Sequence, residues 1–399
     1  MKANITLLLA SLLTTVSALA QDMAYLTRDS LQIDSEYWGE TRIDLALPDA
    51  FYTTGNENSI PCVIVLDQQH QYTYQHHLLT FDLMMVNAQM PQSLIVGVPF
   101  DYQVRNQRTA SRLAEGDSIT GAEGTRRFIE DELIPTLKKD YKINDRVIIV
   151  GHSRTGWLVN YLLISNPDQY AMGLAASGFF EPGFEATDIR SLVKDWIVKE
   201  DSPAWYFTNG ISREESSYKA AYDQLEDSLR AMAQPGSIYW RHKEFDYNGR
   251  MGNFMMSLAW AFSDYYGSYA MILDDWLYDK QDKVASADAS AELIRDFKKL
   301  SDEKGMLIKP DIIHLWSIGS YYFYNDGQDG WLEIMQLAHR LYPNDHNFAY
   351  ELSMTYHLME DFEKRELWRE KALAILAASS HIGEPEKAEY KTAILEIGK

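Results

Sequence analysis

Apolar and polar positions along the chain fall into two regions of different period. From about residue 41 to 266, short apolar runs alternate with longer amphipathic stretches. Residues 41–48 (TRIDLALP) alternate as a strand does. Residues 61–66 (PCVIVL), 93–99 (SLIVGVP) and 147–150 (VIIV) are unbroken apolar runs, the pattern of strands covered on both faces of a parallel sheet. Residues 172–177, 204–208 and 238–245 continue the series. Helices are predicted over 126–141, 157–164, 216–232 and 254–266, and one begins near 79–85. In the 216–232 helix, Tyr218, Ala221, Tyr222, Leu225 and Leu229 keep the three-to-four spacing of a single apolar face. Residues 100–125 read as a long polar loop carrying Arg105, Arg108 and Arg112. Strands alternating with helices predict an α/β fold, a mostly parallel sheet with helices on both faces. In such sheets ligands bind beyond the carboxyl ends of the strands, here the Asp67 loop, the Phe100 loop and Ser153.

After about residue 270 the strand period disappears. Residues 286–305 read as one helix. Leu315, Ile318, Gly319, Tyr322, Trp331, Met335, Ala338 and Pro343 then fall at the offsets of a tetratricopeptide repeat. A shift of 34 residues puts Leu352 and Ser353 under Ile318 and Gly319, Tyr356 under Tyr322, and Ala372 under Ala338; Arg365 under Trp331 marks the second copy as degenerate. Residues 268–399 are therefore expected to form an all-α, tetratricopeptide-like region. It should pack on helix 286–305 or on the sheet domain, because each repeat needs a neighbour to bury its face. An ordinary helical extension is the other reading.

Composition changes the picture in three places. Residues 1–20 (MKANITLLLASLLTTVSALA) have one leading Lys, an apolar stretch and a closing Ala-Leu-Ala, which predicts a secretory signal peptide, a domain spanning 21–267 after it, and an exported protein, periplasmic or secreted. The 37 basic against 58 acidic residues give a formal charge of −21, which argues against nucleic acid as a partner and against a basic membrane-binding patch. Beyond residue 20, no apolar run reaches the ~18–20 residues of a membrane span. Cys62 stands alone in an apolar run, so it has no internal disulfide partner and reads as a buried, inert thiol. No Cys/His spacing points to a metal, and no cofactor motif is present.

The candidate chemistry lies in 146–156, RVIIVGHSRTG. An apolar strand runs into Gly-His-Ser-Arg-Thr-Gly and at once into an apolar helix, with Ser153 at the tip. A serine on a tight strand-to-helix turn is a nucleophile elbow, and the N–H of Arg154 is then placed to hold a developing oxyanion. Thr155 stands where the common elbow has glycine, and the glycine comes at 156.

Several landmarks carry a wider likeness: Glu40 and Arg42 before LALP, VIVLD at 63–67, VGV at 96–98 followed by Arg105, Asn106 and Arg108, ELIP at 132–135, VGHS at 150–153 and ASGFF at 176–180. Together they resemble the bacterial putative esterase family, the esterase D-like branch of α/β-hydrolases that includes enterochelin and ferri-siderophore esterases, over about 35–266. KLSDEKG at 299–305 resembles the entry into the repeat-bearing appendage of some members. The resemblance implies a Ser–acid–His triad with Ser153 as nucleophile, and a second oxyanion donor after VIVLD, near Gln68 or Gln69. It implies an acid after Gly210, where Glu214 or Glu215 fits, with Glu214 taken as the triad acid. The base belongs after the last strand, and Arg250 occupies that position. Arginine stays protonated and cannot take the serine proton. His242 lies too early, His152 precedes the nucleophile, and His70, His76 and His77 in the loop beyond Asp67 are the remaining candidates. Two functions follow. One is an exported serine esterase acting on a small-molecule carboxylic ester, a siderophore lactone or an acylated sugar. The other is a catalytically silent relative that binds a ligand or a protein partner through its cleft and helical tail. Arg250 has a third reading, a fork that grips a substrate carboxylate.

Overall fold

The computed structural model describes residues 26–55, 59–179, 203–216, 218–232, 238–246, 249–280 and 283–398. The predicted signal peptide, 1–20, and Phe180 of the ASGFF landmark lie outside them. Eight strands form one sheet: β1 (Leu26–Ser35), β2 (Gly39–Pro48), β3 (Cys62–Leu66), β4 (Leu94–Val98), β5 (Val147–His152), β6 (Tyr170–Ala176), β7 (Ala204–Gly210) and β8 (Trp240–Phe245). Their order is β1-β2-β4-β3-β5-β6-β7-β8. β1 and β2 form an antiparallel hairpin, β2 is antiparallel to β4, and every later pairing is parallel.

The burial of each strand follows from its sequence. All residues of β3, β4, β5, β6 and β7 are buried, as unbroken apolar runs require, whereas β8 alternates at the edge. β1 was not expected. Its sequence, LTRDSLQIDS, is too polar to read as a strand, but it pairs with β2 over its whole length as the opposite edge.

The sheet is wrapped by α1 (Asp49–Thr53), α2 (Gln71–Val86), α3 (Arg105–Arg108), α4 (Gly121–Arg127), α5 (Ile134–Tyr141), α6 (Arg154–Ser165), α7 (Lys219–Met232) and α8 (Arg250–Tyr265). Three boundaries differ from the sequence reading. α2 begins at Gln71, not near residue 79, so His76 and His77 are helical and not in a loop. Its buried face starts with Thr73, Tyr74 and His77, polar residues that hide the period. The helix predicted over 126–141 is α4 and α5 joined through a π-helical turn at Phe128–Leu133. α8 begins at Arg250 and not at Phe254.

From Gly267 onward the described chain is helical: α9 (Gly267–Asp274), a π turn at Asp275–Lys280, α10 (Ser286–Lys304), α11 (Ile312–Asp326), α12 (Gln328–Leu341), α13 (His346–Leu358), α14 (Phe362–Ala378) and α15 (Glu384–Glu396). α11 pairs with α12 and α13 with α14, and α12 also packs on α10. Both expected packing partners are observed, because the buried side chains of α10 to α13 are continuous with the core of the sheet.

The helical region seats on the end of the sheet where the parallel strands begin. Asn344 donates from its backbone N–H to Thr53 O (3.0 Å) and from its side chain to Thr54 O (3.1 Å). Lys309 Nζ reaches Thr54 Oγ1 (2.8 Å), Asn144 Nδ2 reaches Leu307 O (2.8 Å), and His381 stacks on Tyr52 at 4.5 Å. Thr53 and Thr54 precede β3, and Asn144 precedes β5. Ser153 follows β5, so the tail and the elbow occupy opposite ends of the sheet.

Asp49, at the start of α1, lies in this junction. Burial, reinforced by the charges of Asp345, Asp82 and Glu386, pushes its carboxyl up to about 7. An unfolded aspartate ionises near pH 4. The stability that accompanies the protonated side chain is therefore complete below about pH 4 and is lost as the pH rises through 7. Asp49→Asn stays neutral at every pH. It is expected to raise the melting temperature at pH 8 by the equivalent of about 2 kcal/mol, with a smaller gain at pH 5, as thermal melts at the two pH values would show.

Candidate active site

Ser153 sits between the last residue of β5 and the first of α6 with φ 61° and ψ −115°. This backbone conformation costs an L-residue about 1–3 kcal/mol and persists only where its surroundings fix it. Three features fix it. Its N–H donates to Ala176 O on the neighbouring strand (2.8 Å). Gly151 admits the turn, since a Cβ there would lie 2.4 Å from Thr155 O. Gly156 lets α6 approach β6, since a Cβ there would lie 3.0 Å from Ala176 O and from Gly178 Cα.

Thr155, the apparent departure from an elbow, is a strut. It is fully buried, and its hydroxyl accepts the His152 N–H (2.9 Å) and donates to Asp67 Oδ2 (2.7 Å). Asp67, just beyond β3 with φ 66°, also receives Arg105 Nε on Oδ1 (2.7 Å), Arg105 Nη2 on Oδ2 (2.6 Å) and Gln69 Nε2 on Oδ1 (2.8 Å). Burial alone would raise its carboxyl, but the bonds and charge of Arg105 outweigh it and hold Asp67 below the ordinary value. Asp67 thus stays a carboxylate and ties three strand ends to the turn.

Among the described residues, the Ser153 hydroxyl has one side-chain partner, Arg250 Nη2, from the first turn of α8. Arg250 Nε is buried without an acceptor, and the guanidinium forms no ion pair with the described residues. No histidine side chain hydrogen-bonds the Ser153 hydroxyl among the described residues. His152 is stacked on Phe254 (4.7 Å), and burial followed by the charge of Arg250 lowers its pKa to about 3. His77 packs edge-on against the other side of that cluster (4.4 Å to Phe254), and burial with His76 beside it lowers its pKa to about 3. Both rings are neutral at physiological pH. His70 Nδ1 pairs with the Tyr102 hydroxyl (2.9 Å). His242 packs against Phe207 (4.9 Å) and Tyr222 (5.4 Å) and is held by Glu226 (2.7 Å) and Asn209 (2.6 Å).

Of the two residues that fit the expected acid, Glu214 is exposed. Glu215 is fully buried, with Oε1 at 3.4 Å from Asn253 Nδ2 and Oε2 buried without a donor. Asn253, one turn after Arg250, also donates to Ser177 Oγ (2.5 Å). Gln68, the expected second oxyanion donor, is already engaged. Its N–H is engaged by Val98 O (3.1 Å) and its side chain turns towards Asp44 (3.4 Å). The Gln69 N–H is given to no backbone carbonyl among the described residues. Arg154 opens α6, where the first N–H groups lack intrahelical acceptors, and its guanidinium lies 5.9 Å from the centre of the Phe179 ring. Among the described residues, no group of three His, Cys, Asp or Glu side chains is arranged to hold a metal ion, and no helix is long and apolar enough to cross a membrane.

The sequence profile of the family described as putative esterase matches residues 35–237, which brings in β2 to β7 and the elbow. The chain belongs to the putative esterase family. A segment of 58 residues is 43% identical to the ferri-bacillibactin esterase BesA of Bacillus subtilis (strain 168), covering 14% of this chain and 20% of that relative. The esterase-family chain thus spans about one fifth of the length of that relative. Among solved structures, an IroE-like serine hydrolase from Shewanella oneidensis superposes with a TM-score of 0.59 at 16% identity, over 78% of this chain and 98% of its own. A protein of uncharacterised function from Capnocytophaga ochracea superposes with a TM-score of 0.56 at 14% identity, over 92% of this chain and 99% of its own, so the shared fold extends into the helical region.

Asp67 and Arg105 were visible as family landmarks, but nothing in the spacing linked them to Thr155. Thr155→Val preserves shape and removes both strut bonds. It is expected to lower the stability of this esterase-family chain by about 2 kcal/mol in urea titrations, because the His152 N–H and one Asp67 oxygen are left unsatisfied in the interior.

Proposed function

We propose that the protein hydrolyses carboxylic esters through an acyl-enzyme on Ser153. The observation that carries this reading is the strained, braced elbow, which lifts one hydroxyl to the carboxyl ends of the parallel strands and sets Arg250 against it. The guanidinium favours the serine alkoxide, since an adjacent opposite charge stabilises the ionised form. With no histidine among the described residues hydrogen-bonded to it, the serine hydroxyl gives its proton to hydroxide from solvent. Oγ attacks the ester carbonyl, and the N–H groups of Arg154 and Gln69 hold the oxyanion. The alkoxide of the alcohol leaves and takes a proton from water. Water then cleaves the acyl-enzyme and releases the acid. Glu215, behind Asn253, takes the place expected of a triad acid. A siderophore lactone or an acylated sugar presents the required carbonyl. The kinship to siderophore esterases supports the first.

Residues 1–20 support export to the periplasm or beyond. The division into a hydrolase domain over 21–267 and a helical domain over 268–399 fits the change from strands to helices. α11 and α13 begin 34 positions apart, as do α12 and α14, which supports reading the two hairpins as tetratricopeptide-type repeats open to a protein partner.

A fluorophosphonate probe is expected to label the wild-type protein and not Ser153→Ala, with hydrolysis of p-nitrophenyl butyrate falling at least ~10³-fold in that variant. Without a histidine base, the rate should keep rising between pH 7 and 9 in place of reaching a plateau. Protein that neither takes the label nor turns over a panel of short esters would overturn the hydrolase reading and leave the cleft as a ligand-binding site. Arg250→His supplies a base beside the buried Glu215. It is expected to raise the rate at pH 7.5 about tenfold or more and to introduce a plateau above pH 7, measured on the same ester.

A further inference from the structure

Among the described residues, Arg250 is a cation without a counter-charge. The chain carries a formal charge of −21, so carboxylates are abundant, yet none of the described ones pairs with this guanidinium. Of the charges near the elbow, Arg105 is locked in two bonds to Asp67, and Glu215 faces Asn253 and forms no ion pair with Arg250. His152, packed beside the site, is held neutral by burial. Arg250 gives one donor to Ser153 and keeps its Nε hydrogen without an acceptor inside the protein. A part-buried guanidinium with an unused donor is unfavourable by itself and becomes favourable beside an anion. Its planar fork suits a carboxylate, which can take two parallel hydrogen bonds.

We infer that the ester this site is built for carries its own carboxylate, bound by Arg250 beside the nucleophile. The inference rests on the serine ester reading above and names its substrate class. The same guanidinium that touches Oγ would hold the carboxylate, so the reacting carbonyl and the carboxylate lie only a few bonds apart. Half-esters of short dicarboxylic acids, of succinate or glutarate length, meet that spacing. Neutral acyl chains of the same length leave Arg250 unpaired.

The test compares two esters that differ in that one group, mono-p-nitrophenyl glutarate and p-nitrophenyl butyrate, on the full chain. The wild-type protein is expected to favour the charged ester by about tenfold or more in kcat/KM, the size expected of one new charge-assisted pair. The preference should vanish in Arg250→Gln and be partly kept in Arg250→Lys, which retains the charge without the fork. Equal use of both esters by the wild type, or a preference that survives Arg250→Gln, would overturn the inference while leaving the hydrolase reading intact. If neither ester is turned over and Ser153 takes no fluorophosphonate, the hydrolase reading fails by itself. Calorimetric titration with monomethyl glutarate then decides the inference: binding by the wild type that is lost in Arg250→Gln supports it, and no binding by the wild type overturns it. Melting curves of the two variants, matched to the wild type, exclude misfolding as the cause of a lost preference.

Discussion

Ser153 holds a backbone conformation that an L-residue resists, and a buried carboxylate is what keeps it there. Asp67 receives the fork of Arg105 and the hydroxyl of Thr155, and Thr155 in turn accepts the N–H of His152, the residue before the serine. The end of β3, the segment after β4 and the end of β5 are thereby fastened to one another under the turn. Every bond in this brace is internal and short, so strain at one residue is distributed over a rigid frame. The helix that follows can press closely on β6 because Gly156 presents no side chain there.

The chemistry above the brace is unusual in its electrostatics more than in its geometry. A nucleophilic serine is ordinarily served by a weak base, but here its partner is a permanent cation. The two nearest buried imidazoles are held neutral by their apolar surroundings and stack around Phe254 as packing groups. A cation at this point lowers the barrier to forming an alkoxide and raises the local concentration of anions, two effects that a histidine does not supply together. Family membership is fixed by the scaffold.

How much of this could be read from the chain varies with the scale of the question. The central strands were legible because residues such as Val63–Leu66 and Val147–Val150 leave no polar position to face water. The edge strand β1 was not, because a strand covered on one side by a single partner can carry Arg28, Asp29 and Gln32 without penalty. The start of α2 was hidden because Thr73 and His77 are buried polar groups on its inner face. At the site, the turn at Ser153 and the nearness of Arg250 were legible as positions along the chain. The exposure of Glu214 beside the buried Glu215, and the engaged N–H of Gln68, were not, because in a tight turn one step of φ and ψ decides whether a group faces the interior or the solvent. The brace was out of reach altogether. It joins Asp67 to a partner 88 positions away and to another 38 away, and only the folded sheet brings those positions together.

The seat of the helical region on Thr53, Thr54 and Asn144 has a mechanical consequence. The strands between that seat and the serine are five or six residues long, so docking and reaction are held apart by about 17–20 Å of rigid sheet. The bonds that hold the helical region therefore load one pole of the sheet and the strained turn loads the other, so a substitution at either seat can be absorbed locally without disturbing its opposite.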